Sequence, residues 1–521
     1  MKRPKQLDLK AEDLEALLQR VEKGSLQEGD YDIIRALVEA IALLSQSLDD
    51  KATAIKRLLR MIFGAKTETM EKVFQNKSKL EAISKQRSAE PKKGHGKNGA
   101  AAYRAAERIK VDHQTLKSGA TCPECKGKVY PVKKSGVAVR FTGMAPLAAK
   151  IYDLEKLRCN LCGEVFTADT PEGVGSAKYD ETVGSMVAVL KYGSGVPFYR
   201  IEKLQESLGI PLPASTQWDI VEQAADKIHP AYRELVRQAA QGEVIHNDDT
   251  TMKVLSLMNS EEKTDRTGVF TTGMVSIVED RKIALFFTGQ KHAGENMLEL
   301  LKQRDAKLGL PIQMCDALAS NSPDALEVLR SNCLTHGRRN FVDVAPNFPE
   351  ETCYVIEQIA QVYRNDQTAK DQKLTPQERL LFHQRESGPV MENLKQWLSE
   401  QINQKKTEPN SGLGKAIRYM LKHWDALTLF LRVPGAPLDN NIVERALKKA
   451  ILNRKNAYFY KTEHGAFIGD MFMSLIHTCN LEQVNPFDYL TALQKYSAEV
   501  RKNPRNWMPW NYQDSIPIND S

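Results

Sequence analysis

Three groups of residues in this 521-residue chain have the types and spacing to do chemistry. The first is acidic: Asp248 and Asp249 in EVIHNDDTTMKVL, Asp316 after PIQMC, and Glu444 in DNNIVERALKKAI. Phosphodiester transfer is served by two hard cations roughly 3.5–4 Å apart, one activating the attacking oxygen and one stabilising the leaving oxygen. Mg²⁺ prefers oxygen ligands and keeps several waters, so three carboxylates from different elements suffice to hold the pair. The second group is Cys122-Pro-Glu-Cys125 and Cys159-Asn-Leu-Cys162, with Gly127 and Gly163 following the pairs. Together these supply the four thiolates of a closed tetrahedral Zn²⁺ site, which is structural and not catalytic. A redox dithiol would need only one pair. The third group is basic: residues 51 to 110 hold sixteen Lys/Arg against five Asp/Glu, an excess larger than the +7 of the whole chain. Such concentration favours a polyanionic partner, with a solvated basic linker as the plainer alternative.

The elements that must position these groups can be read from periodicity. With 41% hydrophobic and 27% charged residues the chain can bury a sizeable core and should form several domains. No long apolar run and no signal-peptide core is present, and the cysteines outside the two pairs are scattered, so a reducing cytoplasmic setting is expected. Ile34, Leu37, Ile41, Leu44, Leu48, Ile55, Leu58 and Ile62 step by three and four, a coiled-coil register that predicts self-association within an N-terminal segment of residues 1–65. A basic linker is predicted over 66–115, with Lys92, Lys93 and Lys97 in its Pro/Gly-rich part, and a zinc ribbon over 116–172. A helical region follows over 173–240. Gly209 and Ser215 suggest a helix-turn-helix, although Asp219, Glu222 and Asp226 on its second helix would repel phosphate.

Beyond Gln241 three strand-like runs (EVIHNDDTTMKVL, GVFTTGMVSIV and IALFFTG), a helix from His292 and a buried strand PIQMCD match the start of a ribonuclease H-like α/β domain over 241–475. The overall expectation is a multidomain α+β protein closed by a C-terminal element over 476–521. Asp316 and Glu444 are 128 positions apart, so a helical insertion is predicted at about 345–432, with Trp397 and Trp424 in its core. If the first strand alternates strictly, only one of Asp248 and Asp249 can face the metals.

The segments IHNDDTT (245–251), CLTHGRRNF (333–341), PLDNNIVERALKKAILNRKNAYFY (437–460) and NPFDYLTAL (485–493), in this order, resemble the insertion sequence 66 family of DDE transposases. LLRMIFGAKTE, the four cysteines and the basic linker resemble that family's amino-terminal half, so the resemblance covers nearly the whole chain. It implies a catalytic and metal-binding triad of Asp248, Asp316 and Glu444, with Asp248 preferred because the family's catalytic Asp precedes a second acid and a Thr. It further implies strand cleavage and joining with two Mg²⁺ per site. Arg445, Arg454, Lys455 and Asn456 would bind DNA, and His336, Arg338 and Arg339 would lie near the site. Asn440 and Asn441, or Asp439, should cap the helix that carries Glu444. The expected partners are terminal inverted repeats, target DNA and a second copy of the chain, in a prokaryotic, nucleoid-associated setting. The rival expectations are a catalytically inactive, transposase-derived zinc-ribbon regulator and a repair nuclease of the same fold.

Overall fold

The computed structural model describes residues 177–258, 268–321 and 327–517 almost throughout, with parts of 17–35, 115–130 and 144–172. The expected coiled coil beyond Arg35, the basic linker with Lys92, Lys93 and Lys97, and the pair Cys159/Cys162 lie outside the described residues. Residues 76–148 form a unit of their own, separate from the rest. Within it Cys122 and Cys125 sit on a tight turn. The Cys122 N–H donates to Gly127 O, the Lys126 N–H donates to Cys122 O, and Lys126 is at φ 62. In the larger unit, β1 (Lys156–Arg158) and β2 (Val165–Thr167) form an antiparallel pair on either side of residues 159–164.

The fold is mixed α+β, centred on a five-stranded mixed sheet. Its strands are β3 (Val244–Thr251), β4 (Phe270–Val278), β5 (Arg281–Gly289), β6 (Ile312–Cys315) and β7 (Leu329–Asn332), in spatial order β5-β4-β3-β6-β7. The first three run antiparallel, β4 and β5 being joined by a two-residue turn in which Glu279 takes φ 56, while β6 and β7 run parallel to β3. β4 is buried along most of its length because helices cover both sheet faces, which is why its sequence reads as a nearly continuous apolar and Thr run.

Several helices precede the sheet in sequence: α1 (Glu181–Ala188), α2 (Phe198–Ser207) and α3 (Ala214–Ala239). The last buries Ile220, Val221, Ile228, Tyr232 and Leu235 and packs on the sheet and on the C-terminal helices α11 (Glu463–Leu481), α12 (Pro486–Lys495) and α13 (Ser497–Lys502). Residues 173–240 and 476–521, separate elements by sequence, thus share one body with the sheet. The helix from Ala214 serves as scaffold: its apolar face is occupied by the protein, and Asp219 and Asp226 face solvent. Among the described residues no helix is long and apolar enough to cross a membrane.

β5 is an edge strand, and its outward N–H groups would lack partners. α11 lies along it and supplies them. Lys282, Ala284, Phe286 and Thr288 donate their N–H groups to Glu482 Oε1 (2.8 Å), Thr478 Oγ1 (3.0 Å), Ser474 Oγ (3.0 Å) and Asp470 Oδ2 (2.6 Å). Two residues of strand advance about 6.8 Å and four residues of helix about 6.0 Å, so alternate strand residues meet every fourth helical side chain. Burial pushes the Asp470 carboxyl up to about 7, against the opposing pull of the two Thr288 donors.

Helices also fill the stretch between the second and third acidic positions: α5 (Leu334–Val344), α6 (Pro349–Asp371), α7 (Pro376–Glu386), α8 (Gly388–Asn403) and α9 (Gly412–Lys422), after α4 (Ala293–Leu301) earlier in the chain. Their core includes Trp424, with Trp397 packed against it. Asp366, buried at its centre, accepts from Arg379 and His383 and pairs with Lys370. Burial pushes its carboxyl up, but these three cationic or ring donors outweigh that and hold it well below the ordinary carboxylate range. Ser387, His383 and Asp366 line up as a Ser-His-Asp chain, yet all three are buried, so the chain is an internal strut with no path for a substrate.

Replacing Ser474 by Ala leaves the buried Phe286 N–H without an acceptor and should lower stability by about 1–3 kcal/mol. Denaturant unfolding of the full chain measures this, and an unchanged midpoint would show that the helix does not serve as the strand's missing neighbour.

Candidate active site

The parallel pairing of β3 with β6 ends at His246↔Met314, so Asp248 and Asp316 each follow by two residues at the same end of adjacent strands. Alternation along β3 separates Asp248 from Asp249. Asp249 points to the α4 side, where its carboxylate accepts from Thr272 Oγ1 (2.6 Å), His292 Nδ1 (3.1 Å) and the Ala293 N–H (2.9 Å) at the start of that helix. An acid at a helix N-terminus is stabilised there, and these partners account for both of its oxygens. Asp248 faces the other side, where its Oδ1 accepts the Asp249 N–H at 2.8 Å.

That other side is covered by α10 (Asn441–Ala457), which carries Glu444 in its first turn. Gly273, the β4 partner of Asp248, makes the approach possible: a Cβ there would stand 2.8 Å from Leu447 and 3.4 Å from Val443. The helix start is fixed by Asn440, whose Nδ2 donates to Asn247 O (3.0 Å) and whose Oδ1 accepts from His246 Nδ1 (3.0 Å). Burial holds the His246 ring down at about 4, so it is neutral at ordinary pH. Asn440 is the N-cap residue, but its side chain makes no cap hydrogen bond, because it is turned inward to β3. Asp439 Oδ1 takes the Asn441 N–H instead.

Asp316 is held by its own loop, through the Asn321 Nδ2 (2.5 Å) and the Leu318 N–H (3.1 Å). Asn321 O in turn accepts from Gln313 and Asn247, two buried amides inside the sheet. From the helical insertion Tyr419 comes near: burial, then the charge of Asp316, pushes its phenol up to about 12. Tyr419 and Gly273 carry no sequence motif, and nothing in the pattern around them marks a site.

The electrostatics follow from this convergence. Burial first, and then the charges of Asp316, Glu444 and Asp249, push the Asp248 carboxyl up to about 7, against the one Asp249 N–H that favours its anion. Glu444 Oε1 is buried without a hydrogen-bond partner, and so is Nδ1 of His336, whose Nε2 lies 3.9 Å from that same oxygen. Oxygen donors gathered with so few compensating hydrogens suit a hard divalent cation. Among the described residues the group whose ligand atoms lie within 4.8 Å of one another is Cys333, His336 and Glu444, and the three carboxylates are not drawn together that tightly. The Cys333 sulfur, however, accepts the Asn440 N–H at 3.3 Å, and burial pushes its thiol up to about 11, so it is a poor ligand for a hard cation.

Of the residues expected to bind DNA, Arg445 and Lys455 are exposed on α10. Arg454 is folded inward onto Thr250 Oγ1 (3.2 Å), Thr251 Oγ1 (2.6 Å) and Thr251 O, and Asn456 Nδ2 donates to Gly195 O (3.0 Å). Both tie the helix end to the protein, a use of polar side chains that residue type alone does not separate from phosphate binding. Arg338 is half-buried and Arg339 exposed on α5, the helix that carries His336.

Because the Asp248 carboxyl ionises only near 7 in the fold and at an ordinary 3.8 outside it, ionised Asp248 opposes folding. The cost is absent below pH 3.8, grows as pH rises towards about 7 and is constant above. Asp248→Asn should therefore raise the melting temperature of the metal-free protein by a few degrees at pH 8, with the gain vanishing by pH 4. Thermal unfolding across pH checks this, and a lower melting temperature for the variant at pH 8 contradicts the crowding. Gly273→Ala should cost about 1–3 kcal/mol by displacing Leu447, read as a lower unfolding midpoint.

A family model described as "Transposase IS66 family" matches residues 177–467. Three uncharacterized proteins of Sinorhizobium fredii are similar to this chain. One, y4jD, is 33% identical over 186 residues, which is 35% of either chain. A second, y4hP, is 24% identical over 440 residues, 78% of this chain and 75% of that protein. The third, y4qI, is 23% identical over 361 residues, 64% of this chain and 62% of that one. The family match takes in β3 to β7, all three acidic positions and the helix from Asn441, and on that extent the chain belongs to the IS66 family of transposases.

Proposed function

We propose that the protein cuts DNA at the ends of its insertion sequence and joins them to target DNA, with Asp248, Asp316 and Glu444 as its catalytic carboxylates. One observation carries this reading: Asp248 and Asp316 stand at the same end of adjacent strands with Glu444 on the helix that covers them, burial first and then the neighbouring acids push the Asp248 carboxyl up to about 7, and Glu444 Oε1 is buried and unpartnered. The strand order β5-β4-β3-β6-β7, with acids after β3 and β6 and on a later helix, supports a ribonuclease H-like catalytic domain.

The three carboxylates would hold a pair of Mg²⁺ ions, which when bound activate the attacking oxygen and stabilise the leaving one. Each chain residue has a definable part. Asp248 must lose its proton on loading, Asn321 keeps the Asp316 carboxylate from turning away, and His336 stands against the buried Oε1 of Glu444. In the first step water attacks a phosphodiester, its P–O3′ bond breaks, and a 3′-OH is released. In the second step that 3′-OH attacks a target phosphodiester, and one P–O bond forms as another breaks. No covalent bond to the protein is required. Arg445 and Lys455 face solvent on the same helix as Glu444 and suit the phosphates of the bound DNA.

Structural zinc and self-association belong to the same proposal. The Cys122/Cys125 turn, with Lys126 in a left-handed conformation, has the shape of half a zinc site.

Asp248→Asn, Asp316→Asn and Glu444→Gln should each reduce Mg²⁺-dependent cleavage of DNA from the borders of the gene by roughly 10³-fold or more, with gel-shift affinity nearly unchanged. Asp249→Asn, which can keep most of its contacts to Thr272 and α4, should retain cleavage. Full cleavage by any of the first three removes that residue from the mechanism. A parent protein that binds these duplexes and never cuts them is a regulator and not a transposase.

A further inference from the structure

The end of α10 holds a strained turn. Tyr458 adopts φ 68, ψ −43, and the Phe459 N–H donates to Ala457 O at 2.9 Å, which closes a three-residue γ-turn of positive φ. This form is rare, and it is unfavourable for a side chain as large as tyrosine. The surrounding structure enforces it from both sides. Upstream, Arg454 is anchored on Thr250 and Thr251. Downstream, the Tyr460 N–H donates to Lys253 O (2.9 Å), the Leu255 N–H donates to Tyr460 O (2.9 Å), and the buried Tyr460 OH accepts from Asn453 Nδ2 (2.9 Å).

The turn places two adjacent aromatic rings outside: Tyr458 is 67% exposed and Phe459 46%. They stand at the end of a stripe of exposed residues on α10, Arg445, Lys448, Leu452 and Lys455, whose spacing of three and four continues to Phe459. Cations along a helix ending in exposed aromatics match the pattern by which nucleic acid is held, phosphates on the charges and bases on the rings.

We propose that Tyr458 and Phe459 form a stacking platform for a nucleobase of the DNA engaged at the carboxylates. The inference rests on the reading of the protein as a DNA-cutting transposase and adds to it a contact at a set distance. Tyr458 lies fourteen positions after Glu444, which is about 21 Å along a helix and about six nucleotides of a DNA strand. The contacted base lies on the element side or the flanking side of the cut, and both sides are scanned.

The test uses the full chain and duplexes from the borders of the gene, each with a single abasic position, in gel shifts without Mg²⁺. Positions are counted from the phosphate that the parent protein cuts when Mg²⁺ is present. An abasic position about six nucleotides from that phosphate should weaken parent binding by about tenfold, the scale of one base–aromatic stack. Tyr458→Ala and Phe459→Ala should bind intact DNA equally weakly and lose no more at that position. An abasic profile identical in parent and variants overturns the platform and leaves the DNA-cutting reading standing. Failure of the parent to bind any of these duplexes overturns both. Tyr458→Gly relaxes the positive φ and should raise the melting temperature while lowering DNA affinity. If it lowers the melting temperature and converts a dimer to monomers, the rings pack on a second copy and the proposal is wrong.

Discussion

The site depends on how closely one helix can approach one strand. Gly273 leaves room for Leu447 and Val443 directly over β4, and that contact brings α10 down beside Asp248. Apolar packing of this kind is strong but non-directional, and it would tolerate a helix shifted along its axis. A slide of one turn, about 5.4 Å, would carry Glu444 away from its partners. The Asn440 amide prevents this by bonding both His246 and the Asn247 carbonyl, since any slide would strand buried polar groups on both elements. Packing thus sets the distance between helix and sheet, and hydrogen bonds set the register.

Once the acids converge, their electrostatics oppose folding, and the protein treats them differently from its other buried acids. Asp249 is satisfied by a helix start and Asp366 by Arg379, Lys370 and His383, and Asp470, raised by burial as far as Asp248, still accepts the two Thr288 donors. Asp248 has a single backbone donor and three acidic neighbours. A carboxylate left short of donors beside like charges is a poor structural element and a good receptor for a cation, the usual form of conflict between stability and function at a site.

Much of this could be read in the order of residues, and what could not has physical reasons. β3 to β6 were legible because long apolar or alternating runs have few other solutions. β7, with only LRSN and two strongly polar residues, has no pattern to show. Alternation says that Asp248 and Asp249 face opposite ways, but which face receives α10 is decided by contacts far along the chain. Asn440 has the residue type of a cap, and its use as a cross-link depends on β3 being there to receive it. Arg454 and Asn456 have the types expected of phosphate ligands, and their inward orientation follows from Thr250, Thr251 and Gly195, which local sequence cannot bring near. Asp470, Ser474 and Thr478 look like isolated polar residues in an apolar helix until the edge strand is placed against them.

The long separation between Asp316 and Glu444 poses a last question: how a site survives an insertion of this length. Closing a longer loop costs little extra entropy, about 0.6 kcal/mol for each doubling of length, so chain connectivity is not what holds the two acids together. The ends of the insertion are joined directly. The Leu334 N–H donates to Leu438 O at 2.9 Å, and the Asn440 N–H meets the Cys333 sulfur. Further in, Arg379 Nη1 donates to Ala436 O at 2.9 Å while its other nitrogens hold Asp366, which couples the insertion's buried charge cluster to the segment leading into α10. Tyr419, from the same helices, stands beside the Asp316 loop. The insertion therefore supports both of the acids it separates in sequence, so damage to its core would reach the candidate site through Ala436 and Tyr419 even though no helix between Pro349 and Lys422 carries any of the three acids.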